Sequence, residues 1–121
     1  MRKASSVAAK TVPAIEVVEY EVFHSRDDFF VHALDYGIDG TTKKQIRKAF
    51  YQGQYKQVHT FERPAEPLEQ QLEEIFHDSQ NLDEAWHPTS NCRSTSVGDL
   101  VKVLGTFWIV APMGFDKGWK E

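Results

Sequence analysis

Apolar and polar positions alternate along two stretches of the chain, and a period of two is typical of half-buried β-strands. The first stretch is Ile15–His24, where the even-numbered side chains are the more apolar through the middle. The second is Tyr55–Phe61, which is enriched in β-branched and aromatic residues. Pro64 and Pro67 exclude its continuation. The pattern therefore predicts two strands separated by about thirty residues.

Two segments begin with residues that cap helices. Ser25 and Asp28 form a capping signal for a helix that begins at Arg26 and ends at Gly37. A second capping box precedes an apolar stripe at helical spacing, which a glycine ends. Its residues are Thr42 and Gln45 in the box, Ile46, Ala49 and Phe50 in the stripe, and Gly53 at the end.

The clearest helical pattern begins near Pro67, a residue suited to the first position of a helix. Apolar residues then recur at i, i+4, i+7 and i+8, with glutamates on the other face. We expect this apolar face and the strands near the C-terminus to share one core. The residues of that core are Leu72, Ile75, Phe76, Val101, Val103 and Trp108.

The last third of the chain contains a long loop followed by a hairpin. Asn81–Ser96 is rich in residues that hydrogen-bond locally or restrict the backbone. Leu100–Leu104 and Thr106–Ala111 flank Gly105, which is typical of two strands joined by a tight turn. The predicted order is β-α-α-β-α-β-β.

This order predicts a single small α+β domain with a mixed or antiparallel sheet, about three helices packed on it and a C-terminal β-hairpin. We assign the domain to residues 14–121 and a flexible N-terminal arm to residues 1–13. A chain of 121 residues with 40% hydrophobic side chains can bury one core of this size.

Composition limits the compartment and the partners. Cys92 is the single cysteine, so no disulfide forms within the chain, and no stretch is apolar enough to span a bilayer or to form a signal peptide. We therefore expect a cytoplasmic protein without a membrane partner. A net charge of -4 argues against a generic phosphate-binding surface.

Several motifs in the second half resemble the YodL-like domain of bacterial and phage proteins. They are the run Leu72–Phe76, Asn81, the loop end Arg93–Val101 with its S-x-G-D-x-V core, and Gly114-Phe115. The resemblance covers roughly residues 51–115. It implies a setting in phages or other mobile elements, and it implies no catalytic residues.

The candidate chemistry is sparse. Five histidines and Cys92 fit no zinc-ligand spacing, and neither a nucleophile elbow nor a nucleotide-binding motif is present. His87 and Cys92 would form a base and thiol pair only with an electropositive niche and a third orienting group. We expect no metal, no cofactor and no catalytic residues, and an enzyme of unrecognised type stays a minor alternative.

Two binding hypotheses follow. The first is a non-catalytic protein-interaction module that uses the Asn81–Ser96 loop, with Trp86, His87, Asn91 and Arg93 as contact residues. The second is a nucleic-acid-binding accessory protein in which a basic helix supplies phosphate contacts next to aromatic rings. Its residues are Lys43, Lys44, Arg47, Lys48, Tyr51, Tyr55 and Lys56. The partner and the oligomeric state stay open.

The segment before the predicted hairpin also has a purely structural interpretation. Gly98 would adopt a backbone conformation that favours glycine, while Asp99 and the neighbouring serines accept hydrogen bonds from loop amides.

Overall fold

The computed structural model of the protein describes residues 16–26 and 38–121. Two helices and five strands lie in these ranges, so the α+β class is confirmed. They are β1 Val17–Ser25, α1 Gly40–Tyr51, β2 Tyr55–Pro64, α2 Leu68–Asp78, β3 Leu100–Val103, β4 Thr106–Val110 and β5 Phe115–Lys120. The predicted arm and all but the first residue of the helix predicted from Arg26 to Gly37 lie outside the described residues.

The five strands form one sheet in the order β2-β1-β3-β4-β5, and every neighbouring pair is antiparallel. β1 lies inside the sheet, where Tyr20 pairs with Phe61 of β2 on one side and with Val103 of β3 on the other. β2 and β5 are the edge strands of the described sheet.

Successive side chains along a strand point to opposite sides, so both faces of the sheet carry apolar residues. Within the described residues, one helix packs on each face. On the first face, Phe23, Phe107 and Trp119 pack with Ile46 and Ala49 of α1. The second face packs against α2, and it buries Tyr20, Val22, Leu72, Ile75, Val101 and Val103. Two small cores separated by the sheet thus replace the single core that the pattern predicted.

All but one of the predicted core residues lie in the core on the second face of the sheet. Leu72, Ile75, Val101 and Val103 are buried there, and the half-buried Trp108 packs against them. Phe76 is not part of this buried cluster; it is half-buried at the margin of α2. Its position eight residues after Leu68 rotates it beyond the contact line with the sheet.

The predicted hairpin is present but is not the end of the fold. Leu104 and Gly105 join β3 to β4 with positive φ angles of 51° and 74°, and β5 then pairs antiparallel with β4. β5 has no alternating pattern, because Asp116, Lys117 and Gly118 interrupt it and its pairing with β4 contains a register shift. The terminal hairpin is thus part of a three-stranded meander.

Two details of the helix starts differ from the prediction. The N-cap of α1 is Asp39, whose side chain accepts a 2.7 Å hydrogen bond from the Thr42 amide, so Thr42 supplies the donor and not the cap. Pro67 occupies the N-cap of α2 and not its first helical position.

In the part of the chain that is described, neither helix is long and apolar enough to cross a membrane.

Candidate functional site

The segment between α2 and β3, residues 79–99 (here the 79–99 loop), contains no helix or strand but is held by its own polar groups. Asn81 is the hub of these contacts. Its amide donates to Ser94 Oγ at 2.7 Å, its Nδ2 donates to the Cys92 carbonyl at 2.7 Å, and its Oδ1 accepts from the Trp86 amide at 3.0 Å. Asn81 therefore joins three points of the loop, one through its backbone amide and two through its side chain.

Trp86 attaches the loop to the second face of the sheet. Its ring stacks on Phe61 with a 17° interplanar angle, and the centroids of His24 and His59 lie 5.9 and 5.7 Å away. Its indole Nε1 donates to the Arg93 carbonyl at 2.8 Å. Trp86 is half-buried, so much of its surface serves packing within the molecule.

His87 is fixed by contacts on both ring nitrogens. Its Nε2 lies 2.8 Å from the Val58 carbonyl, which can only accept, so Nε2 carries the proton. Its Nδ1 accepts from the amides of Thr89 and Ser90 at 3.2 and 3.1 Å. The ring thus closes a turn at the tip of the loop while bonding to β2.

The C-terminal end of the loop is organised by the buried carboxylate of Asp99. It accepts two hydrogen bonds from the Arg93 guanidinium, one from the Ser96 amide at 2.7 Å and one from the Ser25 amide at 2.9 Å. Gly98 has a φ of 93° in the left-handed region, which favours glycine. The structural interpretation of Arg93–Asp99 is therefore confirmed.

Burial shifts the acid–base behaviour of two groups beside this carboxylate. Desolvation lowers the pKa of His24 to about 4; the Asp99 charge opposes that shift, and the Arg93 and His87 charges add to it. Desolvation together with the Asp99 charge raises the pKa of Tyr55 above its usual value. His24 is thus neutral at physiological pH, and its Nε2 lies 2.9 Å from Thr95 Oγ1.

The proposed base and thiol are separated by a serine. Ser90 Oγ lies 3.2 Å from Cys92 Sγ and 3.2 Å from His87 Nδ1, and no hydrogen bond joins His87 to Cys92 among the described residues. Nδ1 already accepts two amides, which occupies the nitrogen that a general base would use. Within residues 16–26 and 38–121, no group of three or more metal-binding side chains is arranged to hold an ion.

Three of the four contact residues proposed for the loop lie together. Trp86, His87 and Arg93 are joined by the ring contact at 5.4 Å and by the indole hydrogen bond, whereas Asn91 is exposed at the tip. The pattern did not reveal that His24 and His59 would lie beneath Trp86. The signal in the sequence for their burial was that each lies on the inward-facing side of a predicted strand.

The basic residues proposed for nucleic acid are only partly available. Lys44, Arg47 and Lys48 are exposed on α1, and Tyr51 is 58% exposed. Tyr55 is 8% exposed and donates a 2.6 Å hydrogen bond to the Gly98 carbonyl, so its inclusion as a stacking residue was wrong. It packs into the buried cluster between the first face of the sheet and α1.

A groove runs along α2 where this helix leaves the second face of β4 and β5 uncovered (here the α2 groove). It consists of two adjoining clefts of about 240 Å³ each, both bordered by Phe115. Trp108 and Phe115 form its apolar floor, Leu68 lines it at the start of α2, and Phe76 and Pro112 border its far end. This surface was not predicted from the sequence.

Comparisons with protein-family models, with curated proteins and with solved structures find no match for this chain. The resemblance to a YodL-like domain stays a prediction.

Proposed function

We propose that this protein is a non-catalytic protein-interaction module that binds its partner through the 79–99 loop. The observation that carries the proposal is the order of this long segment without helix or strand. Fixing a backbone costs about 1 to 2 kcal/mol per residue, and long structured loops of this kind are usually functional. A loop held in one conformation before binding loses less entropy when a partner binds.

The polar groups around the loop support binding over catalysis. Four hydrogen bonds satisfy Asp99, and both ring nitrogens of His87 are engaged. Burial lowers the pKa of His24 and leaves this side chain 5% exposed. A catalytic acid or base needs an available proton site in a cleft, whereas these groups stabilise the loop.

The resemblance to the YodL-like domain adds a biological setting to this proposal. In that setting the protein comes from a phage or another mobile element, acts in the cytoplasm and binds a host or self protein. Asn91 at the exposed tip, with the rims of Trp86, His87 and Arg93, forms the proposed contact surface.

Asn91→Glu tests the proposal because it places a charge at the loop tip without touching the buried contacts. Gln45→Glu is the matched control, since it makes the same amide-to-carboxylate change at an exposed position of α1 on the other side of the sheet. Wild-type protein and both variants are immobilised and incubated with extract of the expressing cells, and each captured protein is then purified and titrated. We expect one partner that binds wild type and Gln45→Glu at least tenfold more tightly than Asn91→Glu.

Equal affinity of the two variants for every purified partner would reject the loop as the binding surface. Thermal unfolding of both variants, with midpoints close to wild type, ensures that lost binding does not reflect lost folding.

The second candidate function, nucleic-acid binding by α1, is favoured by one observation. Lys44, Arg47 and Lys48 share an exposed helix surface, and none of the ion pairs within the described residues uses a basic residue of α1. If α1 binds phosphates, affinity for a single-stranded oligonucleotide falls steeply with salt, and Arg47→Ala with Lys48→Ala flattens that slope. Dissociation constants weaker than about 100 μM at physiological salt would reject it.

A further inference from the structure

The floor of the α2 groove is the part of the second sheet face that α2 does not cover. Trp108 pairs with Val101 on one side, so both side chains lie on the face that packs against α2. Val110 pairs with Phe115 on the same face. Trp108 and Phe115 are only half-buried, and the neighbouring Met113 is 91% exposed. An apolar strip therefore faces solvent beside the edge strand β5.

The two sides of this strip carry opposite charge. On the α2 side, Glu69 and Glu73 are exposed, and each borders one of the two clefts. On the β5 side, Lys117 is directly opposite Trp108 in the β4–β5 pairing, so its side chain lies on the same face, and it is exposed. An acidic wall and a basic position thus flank one apolar floor.

We infer that the α2 groove is a self-association surface whose occupant is the same groove of a second copy of this chain. A two-fold axis running along the groove brings Lys117 of one copy opposite Glu69 and Glu73 of the other, and the reverse contact forms at the same time. Trp108 and Phe115 of both copies become buried between these charges. The inference goes beyond the proposed function, because the 79–99 loop plays no part in it.

The mixed charge favours a second copy over an occupant of one sign. A basic segment would be attracted by Glu69 and Glu73 but repelled by Lys117. An acidic segment would be attracted by Lys117 but repelled by the two glutamates. A copy of the same surface satisfies both sides. The net charge of -4 is spread over the whole chain and is screened beyond about 8 Å at physiological salt, so contacts across the groove outweigh it.

Sedimentation equilibrium of the full chain at physiological salt, from about 5 μM to about 500 μM, tests the inference. We expect the average mass to rise from 13.9 kDa toward twice that value. Lys117→Glu raises the dissociation constant about tenfold, because each substitution acts twice in a symmetric dimer, and Glu69→Lys with Glu73→Lys has the same effect. Lys56→Glu, which changes an exposed lysine on the opposite edge strand, leaves the constant unchanged.

The decisive measurement mixes the two weakened variants in equal amounts. In a mixed dimer, opposite charges face each other at both contacts. At one contact the signs are exchanged relative to wild type, and at the other the unchanged Lys117 of one variant meets the unchanged Glu69 and Glu73 of the other. Each variant alone has like charges at both contacts. We therefore expect mixed dimers that associate more tightly than either variant by itself. Thermal unfolding of each variant confirms that it remains folded.

Three results would overturn the inference. They are a mass of one chain at every concentration, a dimer that Lys56→Glu weakens as much as Lys117→Glu does, and mixed variants that associate no better than the separate ones. If a synthetic peptide of the predicted arm, residues 1–13 with Arg2, Lys3 and Lys10, binds the wild-type monomer but not Glu69→Lys with Glu73→Lys, the groove is instead assigned to that arm.

Discussion

Arg93 and Asp99 face each other through two hydrogen bonds, from Nη1 to Oδ2 at 2.7 Å and from Nη2 to Oδ1 at 2.9 Å. The same guanidinium donates to the Ser25 carbonyl at 3.0 Å, and the carboxylate accepts from the Ser25 amide at 2.9 Å. The pair therefore joins the end of β1 to the 79–99 loop. Such bidentate contacts constrain orientation as well as distance.

Asp99→Asn tests the importance of this junction. Each carboxylate oxygen of Asp99 accepts two hydrogen bonds, one from Arg93 and one from a backbone amide. The amide nitrogen of Asn cannot accept, so two of these four donors lose their acceptor in a buried position. We expect a loss of about 3 kcal/mol in the free energy of unfolding, measured in urea. Asp116→Asn, the same change at a less buried position on β5, should stay within about 0.5 kcal/mol. A loss below about 1 kcal/mol for Asp99→Asn would show that the junction is not important for stability.

His24 should make stability depend on pH. Its pKa falls from 6.5 to about 4 on folding, so between these values the unfolded chain binds a proton that the folded chain does not. Stability is therefore fully present above about pH 6.5 and decreases as the pH falls, by up to about 3 kcal/mol for this group. The lowered pKa of His59 acts in the same direction.

Urea unfolding of wild type and His24→Gln at pH 7 and pH 5 measures this dependence. The variant should lose less stability than wild type over that interval because it lacks the titrating ring. His77→Gln, at a side chain that is 76% exposed, should retain the wild-type dependence. Parallel curves for wild type and His24→Gln would assign the pH dependence to other groups.

The predicted elements came from residues whose local preferences agree with their tertiary environment. Val18, Tyr20 and Val22 alternate because one side of β1 faces α2, and Leu72 and Ile75 recur at helical spacing because they contact that same face. β5 escaped prediction because Asp116 and Lys117 obscure its alternation, and its strand conformation depends on pairing with β4. Tertiary pairing there overrides local propensity.

The loop site was predictable only in outline. The sequence placed Trp86, His87 and Arg93 in one polar loop, but the contacts of Trp86 with His24 and His59 join residues far apart along the chain. Spacing within a loop contains no information about such contacts. The α2 groove depends in addition on where α2 crosses the sheet, which no single segment specifies.

Ile75→Ala and Phe76→Ala distinguish the observed core from the predicted one. Ile75 is fully buried between α2 and the sheet, so its truncation should cost about 3 to 4 kcal/mol in urea unfolding. Phe76 is half-buried and borders the α2 groove, so we expect about 1 to 2 kcal/mol for its truncation, less than a fully buried position would cost. Equal losses at the two positions would place Phe76 in the core after all.

Leu104 offers a position where a substitution should stabilise the fold. Its φ of 51° is costly for a side chain with this shape, and together with the φ of 74° at Gly105 it matches the two-residue turns that favour Asn-Gly. Leu104 is 70% exposed, so replacing it removes little buried apolar surface. We expect Leu104→Asn to raise the free energy of unfolding by about 0.5 to 1 kcal/mol.

Gly105→Ala should lower the free energy of unfolding by about 1 kcal/mol. Nothing within 4 Å obstructs the added methyl group, so only the backbone conformation opposes the substitution. If Leu104→Asn destabilises the protein in urea while Gly105→Ala leaves it unchanged, the turn does not require the left-handed conformation at these two residues.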